Sequence, residues 1–469
     1  MLDFLALMLG LALPWAFGTA LLAAIYRRAD PPPLSWLFGC GWFVGIFLLT
    51  LAMRGVSAAG IRLSIASVGT LLLIATALAL LVALRANPRS LASGIRAALR
   101  ALAGEGLEGW QRTVWRVIVA WLAIRFALLF AELWWRPLYP WDAWTQWSTK
   151  ARVWSELGRL APFVEVTEWL GRTAPNSYFD HGPFYPATVP LFQVWAALVI
   201  GRWDDALVNL PWWATGVAFT FALHGGFRQL GFAPIIALAG TAMAMSLPIL
   251  NVHVALAGYA DLPMAAYVTL GTLAALRSVQ TRHVADIVLA AVLLVACITV
   301  KNPGKVWLVV LLPGLIVAAM PRLGLRLATV AFAVAALAIL VLARTGVKLL
   351  GYQLLPQFMM PWGALLDAYF SFGNWNLLWY FALATAVLGW RQILSREVAP
   401  FTCVVAGGLM FLFVGFAFTN AFLWVEDQST VNRATLHLAP LIVVWMLVTL
   451  RAWTVANGGT SPALQVRPG

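Results

Sequence analysis

Residues 115–154 read WRVIVAWLAIRFALLFAELWWRPLYPWDAWTQWSTKARVW. The stretch 115–135 is apolar except for Arg116, Arg125 and Glu132. A bilayer-crossing helix needs about 17–25 mostly apolar residues, so this run predicts a membrane span. The tryptophan-dense residues after it suit the membrane–water boundary, where an indole ring is half buried and its N–H stays wet. Similar runs recur near 4–26, 34–53, 64–84, 207–225, 233–250, 262–277, 284–300, 304–320, 327–344, 375–392, 400–420 and 437–453. Together they predict about thirteen spans by the same length rule.

Composition agrees with that reading. Of 469 residues, 62% are hydrophobic and 10% charged. Soluble domains carry about a quarter charged residues, and disordered chains need few aromatics and many charges. Both classes are excluded. The expected fold class is all-α, a polytopic integral membrane protein, with helices lying at the outer surface beside the spans. Lys and Arg number 31 against 18 Asp and Glu, but the surplus sits between apolar runs. It reads as a topology signal, and no nucleic-acid partner is expected. Cys40, Cys297 and Cys403 lie in apolar runs without CxxC spacing, so neither a disulfide framework nor a metal knuckle is expected. The first span lacks a basic leader before it and is expected to be a retained helix.

Orientation follows from arginine. The segment 85–116 carries Arg85, Arg89, Arg96, Arg100, Arg112 and Arg116 and is assigned to the cytoplasm. Alternation then places 136–206 outside. The stretch 186–200, PATVPLFQVWAALVI, is short for a span and holds Pro186 and Pro190. With it lying at the outer surface, Arg228, Arg277, Arg282, Arg322, Arg326, Arg391, Arg396, Arg451 and Arg467 fall inside; a crossing there would reverse the bias. Three regions result: 1–114, an N-terminal three-helix segment with a basic loop; 115–320, a membrane module with the external loop 136–206; and 321–469, C-terminal helices with external segments 345–374 and 421–436. No soluble domain is expected.

Under this topology Asp142, Lys150, Asp180, His181, His253, Asp261, Lys301, Arg433 and His437 gather at outer ends of spans, where charge is expensive unless paired, hydrated or functional. In YPWDAWTQWSTKARVW, helical spacing puts Asp142, Gln146 and Lys150 on one face. Asp142 is then either a surface carboxylate offset by Lys150 or one held at the mouth of a membrane cavity; its rigid aromatic setting favours the second. Asp261, in NVHVALAGYADLP, is either a helix-terminal cap or part of a site. With His253 it offers a divalent ion two ligands, too few alone for a metal site. Lys301, in CITVKNPGKVW, and Arg433 and His437, in STVNRATLHLAP, are either boundary residues with snorkelling side chains or phosphate contacts, for which Arg has the bidentate fork. Arg125 and Glu132 share a helical face and are expected to pair within their span.

The order of these features resembles the GT-C superfamily of membrane glycosyltransferases, which includes protein O-mannosyltransferases and lipid A aminoarabinose transferases. An acidic residue follows an in-to-out span and opens a long external loop. DHGPFYPATVPLFQVW (180–195) is similar to the superfamily's Pro-rich entry to a surface helix, and WDAWTQWSTKARVW followed by this segment is similar to a group of bacterial members. A second Asp, then a Lys-turn motif, follow at intervals of two spans. The likeness covers roughly 115–320, with Asn432-Arg433 and His437 beyond. Three spans before 115 are extra, Asp142 lacks a neighbouring Glu, and His181-Gly182-Pro183 stands where the aminoarabinose transferases have a Lys.

The resemblance implies a GT-C-like fold and a multi-pass enzyme of the inner (plasma) membrane with an extracytoplasmic active site. Its donor would be a polyprenyl-phosphate sugar and its acceptor a glycan, lipid or protein hydroxyl. Asp142 would be the general base. Lys150, His181, Tyr185, His253, Asp261, Lys301, Arg433 and His437 would bind substrate, and a divalent ion at Asp261 and His253 is the one cofactor considered. The rival readings are a transporter or lipid flippase, which favours midplane sites and paired repeats, and a polysaccharide polymerase or ligase using lipid-linked substrates.

Overall fold

An apolar backbone segment in hydrocarbon must satisfy its own N–H and C=O groups, and a helix does so within itself. The computed structural model describes residues 2–29, 32–86, 96, 100, 103–345, 347–349, 352–355, 357, 359, 361–428 and 430–459. Arg89 and Arg467, both assigned to the cytoplasm, lie outside the described residues. In chain order the helices are α1 (Leu2–Ile25), α2 (Leu34–Ala58), α3 (Thr70–Ala86), α4 (Gly109–Trp135), α5 (Ser148–Leu157), α6 (Val166–Leu170), α7 (Thr188–Ile200), α8 (Leu210–Gln229), α9 (Pro234–Met245) and α10 (Pro248–Ala255). There follow α11 (Asp261–Thr281), α12 (Val284–Val300), α13 (Gly304–Ala319), α14 (Pro321–Thr345), α15 (Trp362–Leu366), α16 (Leu378–Leu388), α17 (Ala399–Ala417), α18 (Leu423–Glu426), α19 (Thr430–Leu436) and α20 (Ala439–Ala456).

Every expected span coincides with a helix. Among the described residues, eight helical stretches are long and apolar enough to cross a bilayer: Leu2–Arg28, Leu34–Ala58, Ile65–Arg85, Gly109–Trp135, Asp261–Thr281, Pro321–Ala338, Ala399–Ala417 and Ala439–Ala456. The pair α9 and α10, bent by 65° at its break, adds a ninth if the two helices are counted as one broken span. The chain is an all-α, multi-pass membrane protein. Its outward faces fit hydrocarbon: Val330, Val334, Leu337 and Val341 form one exposed stripe on α14, at helical spacing. Inside, α1 and α2 approach so closely that a Cβ on Gly18 would strike the Gly41 carbonyl, the small-residue packing typical of membrane helices.

The break between α9 and α10 is sealed. Asn251 Nδ2 donates to the carbonyls of Met245 (2.9 Å) and Leu247 (2.7 Å), and Asn376 Nδ2 to that of Ser246 (2.8 Å). Arg125 donates to Asn251 Oδ1 and lies over the Trp121 ring at 5.1 Å. The expected Arg125–Glu132 pair is therefore corrected, because Arg125 orients the residue that seals the break. Glu132 instead meets Arg136 at 2.5 Å, one turn on.

The segment 136–206 departs from expectation in three ways. A π-helical stretch, Ala143–Trp147, leads into α5, so the ordinary helical stripe of Asp142, Gln146 and Lys150 is broken. Trp147 and Trp154 are buried rather than at a boundary, whereas Trp135, Trp141, Trp144 and Trp169 are exposed. Helix α7 has 13 residues, about 20 Å at 1.5 Å per residue, short of a hydrocarbon core of about 30 Å. It is enclosed by protein from Thr188 to Ala197 instead of lying on a surface. Two short pairings interrupt the helices, the parallel pair Phe163–Val164 with Tyr178–Phe179 and the antiparallel pair Val347–Leu349 with Tyr352–Leu354.

Candidate functional site

Four separate regions of the chain meet around Asp261. This residue opens α11 directly after a loop in which Gly258 has φ +93°. A Cβ on Gly258 would stand 2.5 Å from Ala143 Cβ and 3.2 Å from Ser148 Oγ. Glycine thus lets the loop lie against the π-helical stretch, which begins right after Asp142. Trp212 Nε1 donates to the Tyr259 carbonyl (2.8 Å) and fixes the same loop. Lys301 is extended at the end of α12, before the Asn302-Pro303-Gly304 turn. Arg433 sits on α19, and His437 in the turn between α19 and α20.

Asp261 Oδ1 accepts from Lys301 Nζ (2.7 Å) and lies 3.0 Å from His437 Nε2. Asp261 Oδ2 accepts from Arg433 Nε (2.9 Å), with Nη2 also at 2.9 Å. Arg433 Nη2 reaches outward to Asp142 Oδ2 at 2.7 Å. Trp307 Nε1 donates to His437 Nδ1 (3.2 Å), which fixes the tautomer: Nε2 carries the proton and donates to Asp261. Burial pushes the His437 pKa down, outweighing Asp261, so the ring is neutral. Burial also lowers Lys301, with Asp261 opposing. Arg433 is raised: burial opposes its charge, but Asp261 and Asp142 overcome it. The guanidinium lies 4.2 Å from the Tyr259 ring centre, a cation–π contact.

The two carboxylates differ in access. The Asp261 side chain is 0% exposed and that of Asp142 25% exposed. Buried ionic clusters of this kind are strongly held once every oxygen has a donor. The arrangement combines a fully engaged inner carboxylate, two cations facing the same point, and an outer carboxylate with room beside it. Chemically it can accept a proton at Asp142 and place positive charge next to a developing anion.

Of the remaining candidates, His253 borders the cluster through Tyr259. Lys150 Nζ is buried, 2.9 Å from Asp180 Oδ2 and 2.6 Å from the Gly182 carbonyl. It therefore does not offset Asp142, and Asp180 is its charge partner instead. His181 is exposed and packs on Phe179, with ring centres 5.3 Å apart. Tyr185 packs on Trp147 at 4.9 Å. His253 is buried beside Tyr259, ring centres 5.7 Å apart. Both Asp261 oxygens hold donors, Oδ1 from Lys301 and His437 and Oδ2 from Arg433. Among the described residues no three His, Cys, Asp or Glu side chains gather for an ion. Tyr259 and Trp307 escaped the sequence reading. Each lies two residues from a residue of its quoted motif, Asp261 and Lys305, but an aromatic in an aromatic-rich chain carries no signal of its own.

The Lys150–Asp180 pair tests as structure. Burial lowers the Lys150 pKa and raises that of Asp180, in each case against their mutual attraction. Lys150→Met is expected to destabilise by about 3–5 kcal/mol, because it leaves Asp180 buried alone, and Lys150→Met with Asp180→Leu to restore most of it. A carboxyl with a raised folded pKa loses stability as pH rises, so the deficit should be smallest at acidic pH. Unfolding of the detergent-solubilised protein checks both; equal deficits in the single and double variants would refute the pairing.

Comparisons with protein-family models, with curated proteins and with solved structures return no match.

Proposed function

We propose that this protein is a GT-C-like glycosyltransferase of the inner membrane, with thirteen crossings and its site facing the extracytoplasmic side. It would transfer a sugar from a polyprenyl-phosphate donor to an acceptor hydroxyl. One observation carries the reading: half-exposed Asp142 shares Arg433 with a buried Asp261 that also binds Lys301 and His437. A base and two cations within one cluster are what inverting displacement at a sugar phosphate requires.

In that reaction the acceptor oxygen attacks the anomeric carbon while its proton passes to Asp142. The bond from that carbon to the phosphate oxygen breaks, and its electron pair leaves with the lipid phosphate. A positioned base contributes about 10²–10⁴ in rate, and preorganised cations stabilise the departing charge. Lys301 and Arg433 take that role. No nucleotide is consumed at the outer face.

The transporter reading draws on the bent pair α9 and α10, since broken spans often build transport sites from freed backbone groups. Here Asn251 and Asn376 already engage the carbonyls at the break. Reconstitution with radiolabelled polyprenyl-phosphate sugars decides the matter. Transfer to an acceptor supports the enzyme; uptake into vesicles with no turnover of any lipid-linked donor supports the transporter. Topology has its own test: cysteine at exposed Thr167 should react with an impermeant reagent in intact cells, and cysteine at exposed Arg322 should not. Equal labelling of the two would refute the orientation.

A further inference from the structure

We propose that Arg433 exchanges anions: it holds Asp142 in the empty site and turns to the donor phosphate when that arrives, releasing the Asp142 carboxylate. The inference rests on the function proposed above. Its geometric basis is the division of labour within one guanidinium. Nε and Nη2 hold Asp261 at 2.9 Å, and the same Nη2 holds Asp142 at 2.7 Å. The Asp261 side is wholly buried, the Asp142 side open. The Tyr259 ring beneath, 4.2 Å away, supports the guanidinium face while leaving its edge open to a change of partner.

Charge balance makes the exchange necessary. Asp142 and Asp261 face Lys301 and Arg433, and His437 adds nothing, because Trp307 donates to its Nδ1 and its Nε2–H donates to Asp261. Within these four groups the charges cancel, so an entering phosphate meets no uncompensated cation among them. It gains one only by displacing a carboxylate. Asp261 is buried with four contacts, so its displacement would strand Lys301; Asp142 can turn toward solvent. Loss of Arg433 to the phosphate leaves the Asp142 oxygen that the guanidinium held free to take the acceptor's proton. The donor thus switches on the base for its own transfer.

The exchange makes a counterintuitive demand: removing the proposed catalytic carboxylate should tighten binding of the leaving group. Binding of a polyprenyl phosphate with a fluorescent tail, followed by anisotropy in detergent, measures this. Asp142→Asn should bind roughly two- to fivefold tighter than the parent, the range for an ion pair open to solvent. Arg433→Gln should bind more weakly, and adding Asp142→Asn to it should bring no gain. Should Arg433→Gln not fold, Arg433→Lys serves, since a point charge lacks the fork that bridges two anions. Glu168→Gln, at an exposed carboxylate of the same external loop, should change nothing. Equal or weaker binding by Asp142→Asn, or the same gain without Arg433, overturns the exchange and leaves the glycosyltransferase reading standing. A parent that binds no polyprenyl phosphate overturns both.

Discussion

Replacing Asp142 by asparagine is expected to lower turnover by about 10²–10⁴, the contribution of a positioned general base. Asparagine keeps the shape of the side chain, and the backbone that carries it is held in place by its neighbours. The π-helical stretch starts at the next residue, and Ala143 packs where any side chain on Gly258 would collide. Asp142→Glu should recover little, because one methylene moves the carboxylate by about 1 Å, and misplacement of that size can cost on the order of 100-fold. The measurement is transfer of labelled sugar at saturating donor, in protein that elutes as the parent does. A folded Asp142→Asn with near-parental transfer would remove this carboxylate from the chemistry. Asp261 could not replace it, since both its oxygens are already engaged by Lys301, His437 and Arg433.

How much of this was legible in the chain depends on which physical rule governed each part. Apolar runs could be read because hydrocarbon forces helix formation irrespective of partners, and helices lie at every position expected. Convergence of Asp142, Asp261, Lys301, Arg433 and His437 could be anticipated, since charges at the ends of successive spans on one side share a plane. Pairing within that plane could not. Lys150 lies eight residues after Asp142 in a sequence that scans as ordinary helix, yet the π-helical turn sends it to Asp180. Arg125 and Glu132 share a face, but the nearer demand on Arg125 came from Asn251 at a break in another helix. Tryptophan misled in the same manner. It suits a boundary and a core equally, and Trp147 and Trp154 went inside, against Tyr185 and Phe163. Local rules fix elements; side-chain pairing is decided by the elements that arrive beside them.

Removal of the Asp261 charge should be the most destabilising single change in the cluster. Asp261→Asn keeps volume but turns one acceptor oxygen into an N–H donor. That donor must face either Lys301 with His437 or the Arg433 fork, and both sides already donate. Arg433 retains Asp142, so Lys301, with its side chain 13% exposed, bears most of the loss. Breaking a buried ion pair by removing one partner costs about 3–5 kcal/mol, because the other charge stays desolvated. The cost also has a structural address. Asp261 on α11 binds Lys301 at the end of α12, Arg433 on α19 and His437 before α20, so a single carboxylate ties four elements together. Adding Lys301→Met to Asp261→Asn should recover a substantial part of the stability, since it removes the stranded charge, and the two changes should be strongly non-additive as contacting residues are. Donor binding should stay lost in the double variant, which separates the structural role of the pair from its cationic one. Thermal unfolding of the detergent-solubilised variants at fixed pH reads the first effect and polyprenyl-phosphate binding the second. An Asp261→Asn protein within about 1 kcal/mol of the parent, well below the cost of a broken buried pair, would mean that these four elements are held by apolar packing alone.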